Sequence, residues 1–184
     1  MFENERIRLR KVVETDAEIY NHWRNDTEVM ASTSPELDQF TLKETENFIG
    51  FITSSKNSKS YIIELKEGNR PVGIISMINI NTKDRSAECI IDIGEKDVWG
   101  QGIGKEAFSL MMAYAFNELN FHRLSLQVFS FNKRAISLYE KLGFKEEGVM
   151  REAFYRFGKW HDVHMMGILK KEYMGYKKEE STCK

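Results

Sequence analysis

The segment Gly100-Gln101-Gly102-Ile103-Gly104-Lys105 contains three glycines and lies between an apolar run, Cys89 to Ile93, and a long amphipathic stretch. This order predicts a strand, a glycine-rich loop and a helix. Glycine permits positive φ and lets a ligand approach the backbone closely, because no Cβ is in the way. The amides of Gly102, Ile103 and Gly104 would lie at the helix N-terminus, where N–H groups lack intrahelical partners and the helix dipole is positive. The segment therefore predicts a site for a phosphate or pyrophosphate group.

Two known phosphate-binding motifs fit this loop incompletely. A P-loop requires glycine where Trp99 stands and a hydroxyl where Glu106 stands, so nucleotide hydrolysis is disfavoured. The residues from Gly102 to Ala107 satisfy the dinucleotide fingerprint, but the next strand, Arg123 to Phe129, ends in no acid that could hold a ribose. A dinucleotide-dependent oxidoreductase is therefore the weakest of the functions considered. A glycine turn without any ligand stays open on these residues alone.

The composition predicts one globular domain. The chain has 184 residues, of which 41% are hydrophobic and 30% charged, and this suits a single domain with a sizeable core. We expect an α+β domain over residues 1–176 and a frayed polar tail at 177–184.

Charge and hydropathy limit the partners and the location. The net charge of −1 disfavours nucleic acid as a main partner, and no apolar run approaches the roughly 20 residues needed to cross a bilayer. The chain is charged from Glu3 onward and shows no secretory signal. The two cysteines, Cys89 and Cys183, do not make a disulfide framework. We therefore expect a cytoplasmic protein with no membrane segment.

Hydrophobic periodicity and turn residues predict the elements that position the loop. Strands are expected at residues 7–10, 61–65, 72–80, 87–93 and 123–129, followed by a hairpin within 144–173. Helices are expected from Thr15 or Asp16 to about Arg24, from a capping box at Thr41, after the glycine loop, and from an Asn132 cap to Gly143.

Six further side chains are candidates for chemistry or for packing. His161 and His164 are three apart on a predicted strand and face opposite sides, so they cannot share one metal ion, and we expect no metal site. Trp23, Phe48 and Phe51 are assigned to the core, and Cys89 to packing within its apolar strand.

A second block of residues, Asn132 to Phe144, strengthens the prediction from the loop. It combines an Asn cap, Tyr139 seven residues later and a Lys-Leu-Gly-Phe exit. Together with the glycine loop it resembles the GNAT superfamily of acetyl-CoA-dependent N-acetyltransferases, although Trp99 replaces the Gln or Arg of the family loop. The segments 151–154 and 158–162 look like the branch of ribosomal-protein N-terminal and spermidine acetyltransferases.

The resemblance implies both a fold and a co-substrate. The fold is a central mixed, mostly antiparallel sheet that is splayed at the glycine loop and flanked by about four helices. Acetyl-CoA would lie with its pantetheine arm in the opening and its pyrophosphate on the loop amides. The implied acetyl-CoA-binding residues are Ile93, Gly94, Gln101, Gly102, Ile103, Gly104, Lys105, Asn132, Tyr139 and Lys141.

Acetyl transfer to an amine needs a proton acceptor and a group that stabilises the departing thiolate. Tyr139 is the predicted donor to the thiolate, and Glu88 the predicted base, acting through a water. Asp92 shares strand parity with Glu88 and competes for the role of base, and His122 is a weaker candidate.

The acceptor is a primary amine, either a small molecule or a protein N-terminus. An amino sugar stays open, and a polyamine is less favoured because the strand Ile74 to Asn79 carries no acid. A non-catalytic acyl-CoA-binding module is the alternative function. We expect a monomer or a homo-oligomer, with a dimer favoured.

Overall fold

A computed structural model describes residues 1–173 of the chain. The polar tail predicted at 177–184 and the last three residues of the predicted domain, 174–176, lie outside the described residues.

Seven strands form one mixed sheet in the described residues. They are β1 (Ile7–Lys11), β2 (Lys59–Leu65), β3 (Arg70–Asn81), β4 (Ser86–Ile93), β5 (Arg123–Phe129), β6 (Lys145–Arg156) and β7 (Lys159–Leu169). Their order in the sheet is β1-β2-β3-β4-β5-β7-β6. The pairs β1–β2, β2–β3, β5–β7 and β6–β7 are antiparallel, whereas β4–β5 is parallel. The predicted mostly antiparallel sheet and its strands are confirmed.

Five α-helices accompany the strands in residues 1–173. They are α1 (Ala17–Asn25), α2 (Thr27–Met30), α3 (Leu42–Ser54), α4 (Ile103–Ala113) and α5 (Lys133–Lys141). The expected four helices are present, and α2 is an addition because its four residues are too few to show a hydrophobic period. Its formation is explained by Asp26, whose carboxylate accepts hydrogen bonds from the amides of Glu28 and Val29.

The predicted side-chain caps are confirmed at α3 and α5, whereas the Asp16 side chain does not cap α1. Thr41 forms the expected capping box with Glu44, and the Asn132 side chain accepts from the amide of Ala135. Asp16 stands before α1 but does not cap it. Its carboxylate is bound instead by the Arg10 guanidinium, at 2.7 and 2.8 Å. The prediction that the Asp16 side chain caps α1 was wrong because Arg10, six residues earlier, binds the carboxylate.

The described chain comprises two compact units, of which the first contains Met1–Ile78 and Ile90–Met111. In this unit α1 and α3 pack on β2 and β3, and the core includes Trp23, Ile49, Ile62 and Ile74. Phe48 packs against this core as predicted. Phe51 is 70% exposed, so its assignment to the core was wrong; it lies outside the stripe that α3 turns to the sheet.

A charged group is also buried in the first unit. Glu64, on β2, is 3% exposed and accepts hydrogen bonds from both Arg8 and Arg10 on the neighbouring strand β1, at 2.7 Å each. Arg10 also binds Asp16. Because the carboxylates of Glu64 and Asp16 each have a guanidinium partner, the desolvation cost of these two charges is offset locally.

The second unit contains Asn79–Cys89 and the chain from Met112 onward. The parallel ladder between β4 and β5 comprises three residue pairs, Ser86↔Arg123, Ala87↔Leu124 and Glu88↔Ser125. A ladder this short is consistent with the expected opening of the sheet. Cys89 is buried in this unit, and burial raises the pKa of its thiol to about 12, which fits a packing role.

In the first unit, the helix α1 is fixed to the end of β4 by one aromatic contact. A Cβ placed on Gly94 would lie 2.2 Å from Cδ2 of Trp23, so the indole ring occupies the space of the missing side chain. The indole Nε1 donates a 2.8 Å hydrogen bond to Glu95. Glycine is therefore required at position 94 for space.

The substitution Gly94→Ala should destabilise the protein by about 1–3 kcal/mol, because overpacking forces Trp23 out of its position. Urea unfolding measures this loss. Gly50→Ala is the matched control: its new Cβ meets nothing within 4 Å on α3. That control should gain up to about 1 kcal/mol from helix propensity. Equal stability of Gly94→Ala and the parent protein would contradict the packing argument.

Candidate active site

The glycine loop has the backbone geometry that an anion site requires. Gly100 and Gly102 have φ of 81° and 86°, a region that favours glycine. The first α4 hydrogen bond runs from the amide of Glu106 to the carbonyl of Gly102, at 3.1 Å. The amides of Ile103 and Lys105, like that of Gly104 between them, precede this bond and therefore lack intrahelical partners. The predicted order of strand, glycine loop and helix is confirmed.

Trp99, which departs from the family pattern, holds the start of the loop. Its Nε1 donates a 2.9 Å hydrogen bond to the carbonyl of Ile93, at the end of β4. Its ring packs against the core of the first unit. Two residues further on, the Gln101 side chain donates to the carbonyl of Asp97 at 2.7 Å. Trp99 and Gln101 thus stabilise the loop conformation through side-chain contacts.

The backbone groups expected to bind pantetheine already have partners in the protein. The carbonyl of Ile93 accepts from Trp99, and the amide of Gly94 donates to the carbonyl of Val72 at 2.9 Å. A carbonyl oxygen has a second lone pair and can accept again, whereas an amide has one proton to give. The carbonyl of Ile93 is therefore the group better able to bind the arm, and this role stays a prediction.

Arg6 is a residue of the loop region that sequence reasoning missed. Its guanidinium donates to the carbonyl of Gln101 at 3.2 Å and to the carboxylate of Glu106 at 3.0 Å. Glu106 lies in the first turn of α4, where its charge would repel a phosphate. Arg6 balances that charge, and Lys105 remains exposed beside it. No local pattern signals Arg6, because it is 95 residues from Gln101.

The helix α5 positions the predicted residues of the second block. Asn132 is its N-cap, and Tyr139 follows at a spacing of two helical turns, so both lie on one side of the helix. Tyr139 is buried at 7% exposure, with its ring centroid 6.0 Å from that of Phe144. Lys141 is the last residue of the helix and is exposed. Asn132 and Tyr139 therefore lie on the same face of α5.

Glu88 is partly exposed, and its position suits exchange of a proton with water. Its carboxylate accepts a 3.0 Å hydrogen bond from the side chain of Asn79. Asn79 itself has a left-handed φ of 51°. His122, the weaker candidate for the base, is exposed.

Asp92, which belongs to the first unit, is more deeply buried than Glu88. It is buried, and its Oδ1 has no hydrogen-bond partner among the described residues. Burial raises the pKa of Asp92, and the nearby Thr33 hydroxyl opposes this only in part. The pKa of Tyr20 is raised by burial and then by the charge of Asp92. The two predicted competitors thus occupy different environments.

The two histidines of β7 were considered as metal ligands, and each has a partner within the protein. His161 lies 3.1 Å from the carbonyl of Arg156, and His164 pairs with Glu146. Within residues 1–173 no three His, Cys, Asp or Glu side chains are grouped as metal ligands. Within the same range no helix has the length and apolar character to traverse a bilayer.

Comparison with known proteins places the chain in a family. The acetyltransferase (GNAT) domain family matches residues 6–145, and the chain belongs to this family. Among relatives, it is 29% identical to spermidine N(1)-acetyltransferase of Vibrio cholerae, over 93% of this chain and 97% of that protein. It is 34% identical to a putative ribosomal N-acetyltransferase of Bacillus subtilis, over 57% of each chain.

Solved structures agree with this assignment. The spermidine N-acetyltransferase of Vibrio cholerae, crystallised with CoA and spermine, superposes with a TM-score of 0.85 at 28% identity. The superposition covers 93% of this chain and 99% of that one. The chain is therefore an acetyl-CoA-dependent N-acetyltransferase.

The substitution Trp99→Phe should weaken acetyl-CoA binding by roughly fivefold, the equivalent of one hydrogen bond, because the loop loses its tie to Ile93. Isothermal titration calorimetry measures the dissociation constant. Trp160→Phe, at a position 59% exposed, is the matched control and should bind as the parent does. If Trp99→Phe binds acetyl-CoA as tightly as the parent protein, the indole does not order the loop for binding.

Proposed function

We propose that this N-acetyltransferase acetylates a small primary amine by direct attack of the amine on acetyl-CoA within a ternary complex. The observation that carries this proposal is the glycine loop, with Gly100 and Gly102 in left-handed conformation leading into the N-terminus of α4. We further propose that the protein acts in the cytoplasm, since nothing in its composition requires an oxidising compartment.

The loop is the proposed pyrophosphate site of acetyl-CoA. The amides of Gly102, Ile103 and Gly104 would donate to phosphate oxygens at the positive end of the α4 dipole. Lys105 would add a positive charge at the rim. Asn132 and Lys141, on α5, are proposed contacts for the remainder of the co-substrate.

In the proposed reaction Glu88 accepts a proton from the amine, and Tyr139 donates a proton to the departing thiolate. An alkylamine arrives largely protonated near neutral pH and loses one proton, through a water, to the Glu88 carboxylate. The nitrogen lone pair then attacks the thioester carbonyl carbon, forming the C–N bond of a tetrahedral intermediate. The intermediate collapses with cleavage of the C–S bond, and the hydroxyl of Tyr139 donates to the departing thiolate. The second amine proton leaves to solvent. Exchange with solvent then reprotonates the Tyr139 oxygen and deprotonates Glu88, which restores both side chains.

The acceptor is proposed to be a small amine, and polyamines are the first class to test. This rests on the relatives, because the Vibrio cholerae enzyme is named for spermidine and its structure holds spermine. A protein N-terminus is the second candidate, favoured by the likeness to the putative ribosomal N-acetyltransferase.

A homo-oligomer is the proposed assembly, with a dimer as its smallest form. A solved structure of the Vibrio cholerae enzyme, 26% identical with a TM-score of 0.79, is dodecameric. In this chain the second unit exposes three aromatic side chains by more than half, Tyr155, Phe157 and Trp160, on the hairpin of β6 and β7.

The substitution Tyr139→Phe keeps the ring and removes only the hydroxyl. We expect kcat to fall roughly ten- to a thousandfold with little change in KM for acetyl-CoA, because the thiolate loses its donor. Steady-state kinetics with an accepted amine gives both constants. The control is Tyr155→Phe, at an exposed tyrosine of the same unit. If kcat of Tyr139→Phe equals that of the parent protein, the hydroxyl has no catalytic role and Tyr139 serves only in packing.

The substitution Glu88→Gln should abolish the acidic limb of the pH–rate profile, since a base must be unprotonated to act. Glu118→Gln, an exposed acid of the same unit, is the control and should keep the limb. Loss of the limb in Asp92→Asn instead would transfer the role to Asp92. An unaltered profile in both variants would assign the proton to bulk water.

A further inference from the structure

A cavity lies in the first unit where the ladder between β1 and β2 ends. The last pair of that ladder is Lys11↔Tyr61, although β2 begins two residues earlier, at Lys59. The residues that line the cavity come from the end of β1, the start of β2 and the C-terminal end of α3 with the loop after it. Its volume is about 330 Å³. This is at the lower end of the roughly 300–1,000 Å³ that is usual for small-molecule sites.

The charged side chains that line this cavity are all positive. They are Lys11, Lys56 and Lys59, and no Asp or Glu is among the lining residues. None of the three makes an ion pair within residues 1–173. Three other lysines of the same unit do have acidic partners, and they are Lys43, Lys66 and Lys96. The remaining lysine of the unit, Lys105, stands at the proposed pyrophosphate site, so the lysines without an acid lie at that site and at this cavity.

Two of the ammonium groups are close enough to act on each other. Lys59 is two residues from Tyr61, which is opposite Lys11, so the three side chains project from one face of the strands. The Lys11 Nζ lies 4.6 Å from the centroid of the Tyr61 ring. Partial burial lowers the pKa of Lys11, and the positive charge of Lys59 lowers it further. An anion placed between the two lysines would offset both effects.

Hydroxyl groups supply further donors to the cavity, from Ser55, Ser58 and Ser60. The Ser60 hydroxyl accepts a 2.8 Å hydrogen bond from Ser76, and the Ser55 hydroxyl accepts one from the amide of Asn57 at 3.3 Å. A hydroxyl that accepts still has its own proton to donate. The C-terminus of α3 adds roughly half a negative charge, which three ammonium groups outweigh.

The cavity is separate from the glycine loop. Lys59 pairs with Met77 of β3, whereas Gly94, at the start of the segment that leads to the loop, donates to the carbonyl of Val72 on the same strand. Five residues of extended strand, about 17 Å, separate Met77 from Val72. The two places therefore lie toward opposite ends of β3.

We propose that this cavity binds a small anion of the diphosphate class, held by Lys11, Lys56 and Lys59 and by the neighbouring serine hydroxyls. A diphosphate carries several negative charges and many acceptor oxygens, and lysines bind phosphate groups as point charges. The volume equals that of about ten water molecules at roughly 30 Å³ each, which is more than one phosphate group fills. This binding goes beyond the proposed function, which does not require it. Inorganic diphosphate and the diphosphate of a nucleotide share the chemistry.

The test is calorimetric titration of the full chain carrying one equivalent of CoA, which fills the glycine loop. Sodium diphosphate and ADP are titrated separately. The parent should bind diphosphate, and Lys59→Gln should bind it roughly tenfold more weakly, as expected for the loss of one charge-assisted contact. Lys43→Gln makes the same charge change on α3 and is the matched control, with the affinity of the parent. Tighter binding of ADP than of diphosphate supports a nucleotide in the cavity, and equal affinities support recognition of the phosphates alone.

Thermal unfolding of the same proteins establishes that the variant folds. Diphosphate should raise the Tm of the parent and raise that of Lys59→Gln less, because a ligand stabilises the state that binds it. Equal diphosphate affinity in the parent and in Lys59→Gln overturns the site, as does the absence of binding to the parent. Loss of binding in Lys105→Gln, with Lys59→Gln unchanged, assigns the anion to the glycine loop instead and also overturns it. Neither measurement depends on acetylation, so a failure here leaves the proposed function as it stands.

Discussion

The contact between Trp23 and Gly94 is the constraint on which the first unit depends. The indole occupies the space of a side chain at position 94 and donates to Glu95, so α1 is held against the last residues of β4. The glycine loop begins a few residues later and is held by a second indole, that of Trp99, through the carbonyl of Ile93. Two tryptophans thus fix the same strand end, one from the helix before it and one from the loop after it.

The buried carboxylates of this unit differ in whether a cation is paired with them. Glu64 and Asp16 are buried and bound by arginines, and Glu106 is bound by Arg6 beside the loop. These pairs fix strands and helix starts without leaving an unpaired charge. Asp92 alone among the acids named here is buried without a cation partner.

The features that could be predicted from the sequence are those that depend on residues close together in the chain. Alternation gave the strands, and the Asn132 cap and the glycine loop were readable because each depends on residues a few positions apart. The role of Arg6 was not readable because its partners lie 95 and 100 residues away. The role of Asp16 was not readable because no local pattern shows that the Arg10 side chain turns toward it. Phe51 was misplaced because a single exposed aromatic on an amphipathic helix looks like a core residue until the packed stripe is known.

In the proposed reaction the acetyl group passes directly from the thioester to the amine, with no acyl-enzyme. The Cys89 thiol of the second unit is buried with its pKa raised to about 12, and a thiol that stays protonated near neutral pH is a poor nucleophile. Initial velocities measured while acetyl-CoA and an accepted amine are both varied test the claim. Intersecting double-reciprocal lines, with no acetylated protein when the amine is omitted, are the predicted result. Parallel lines together with an acetylated enzyme would contradict it.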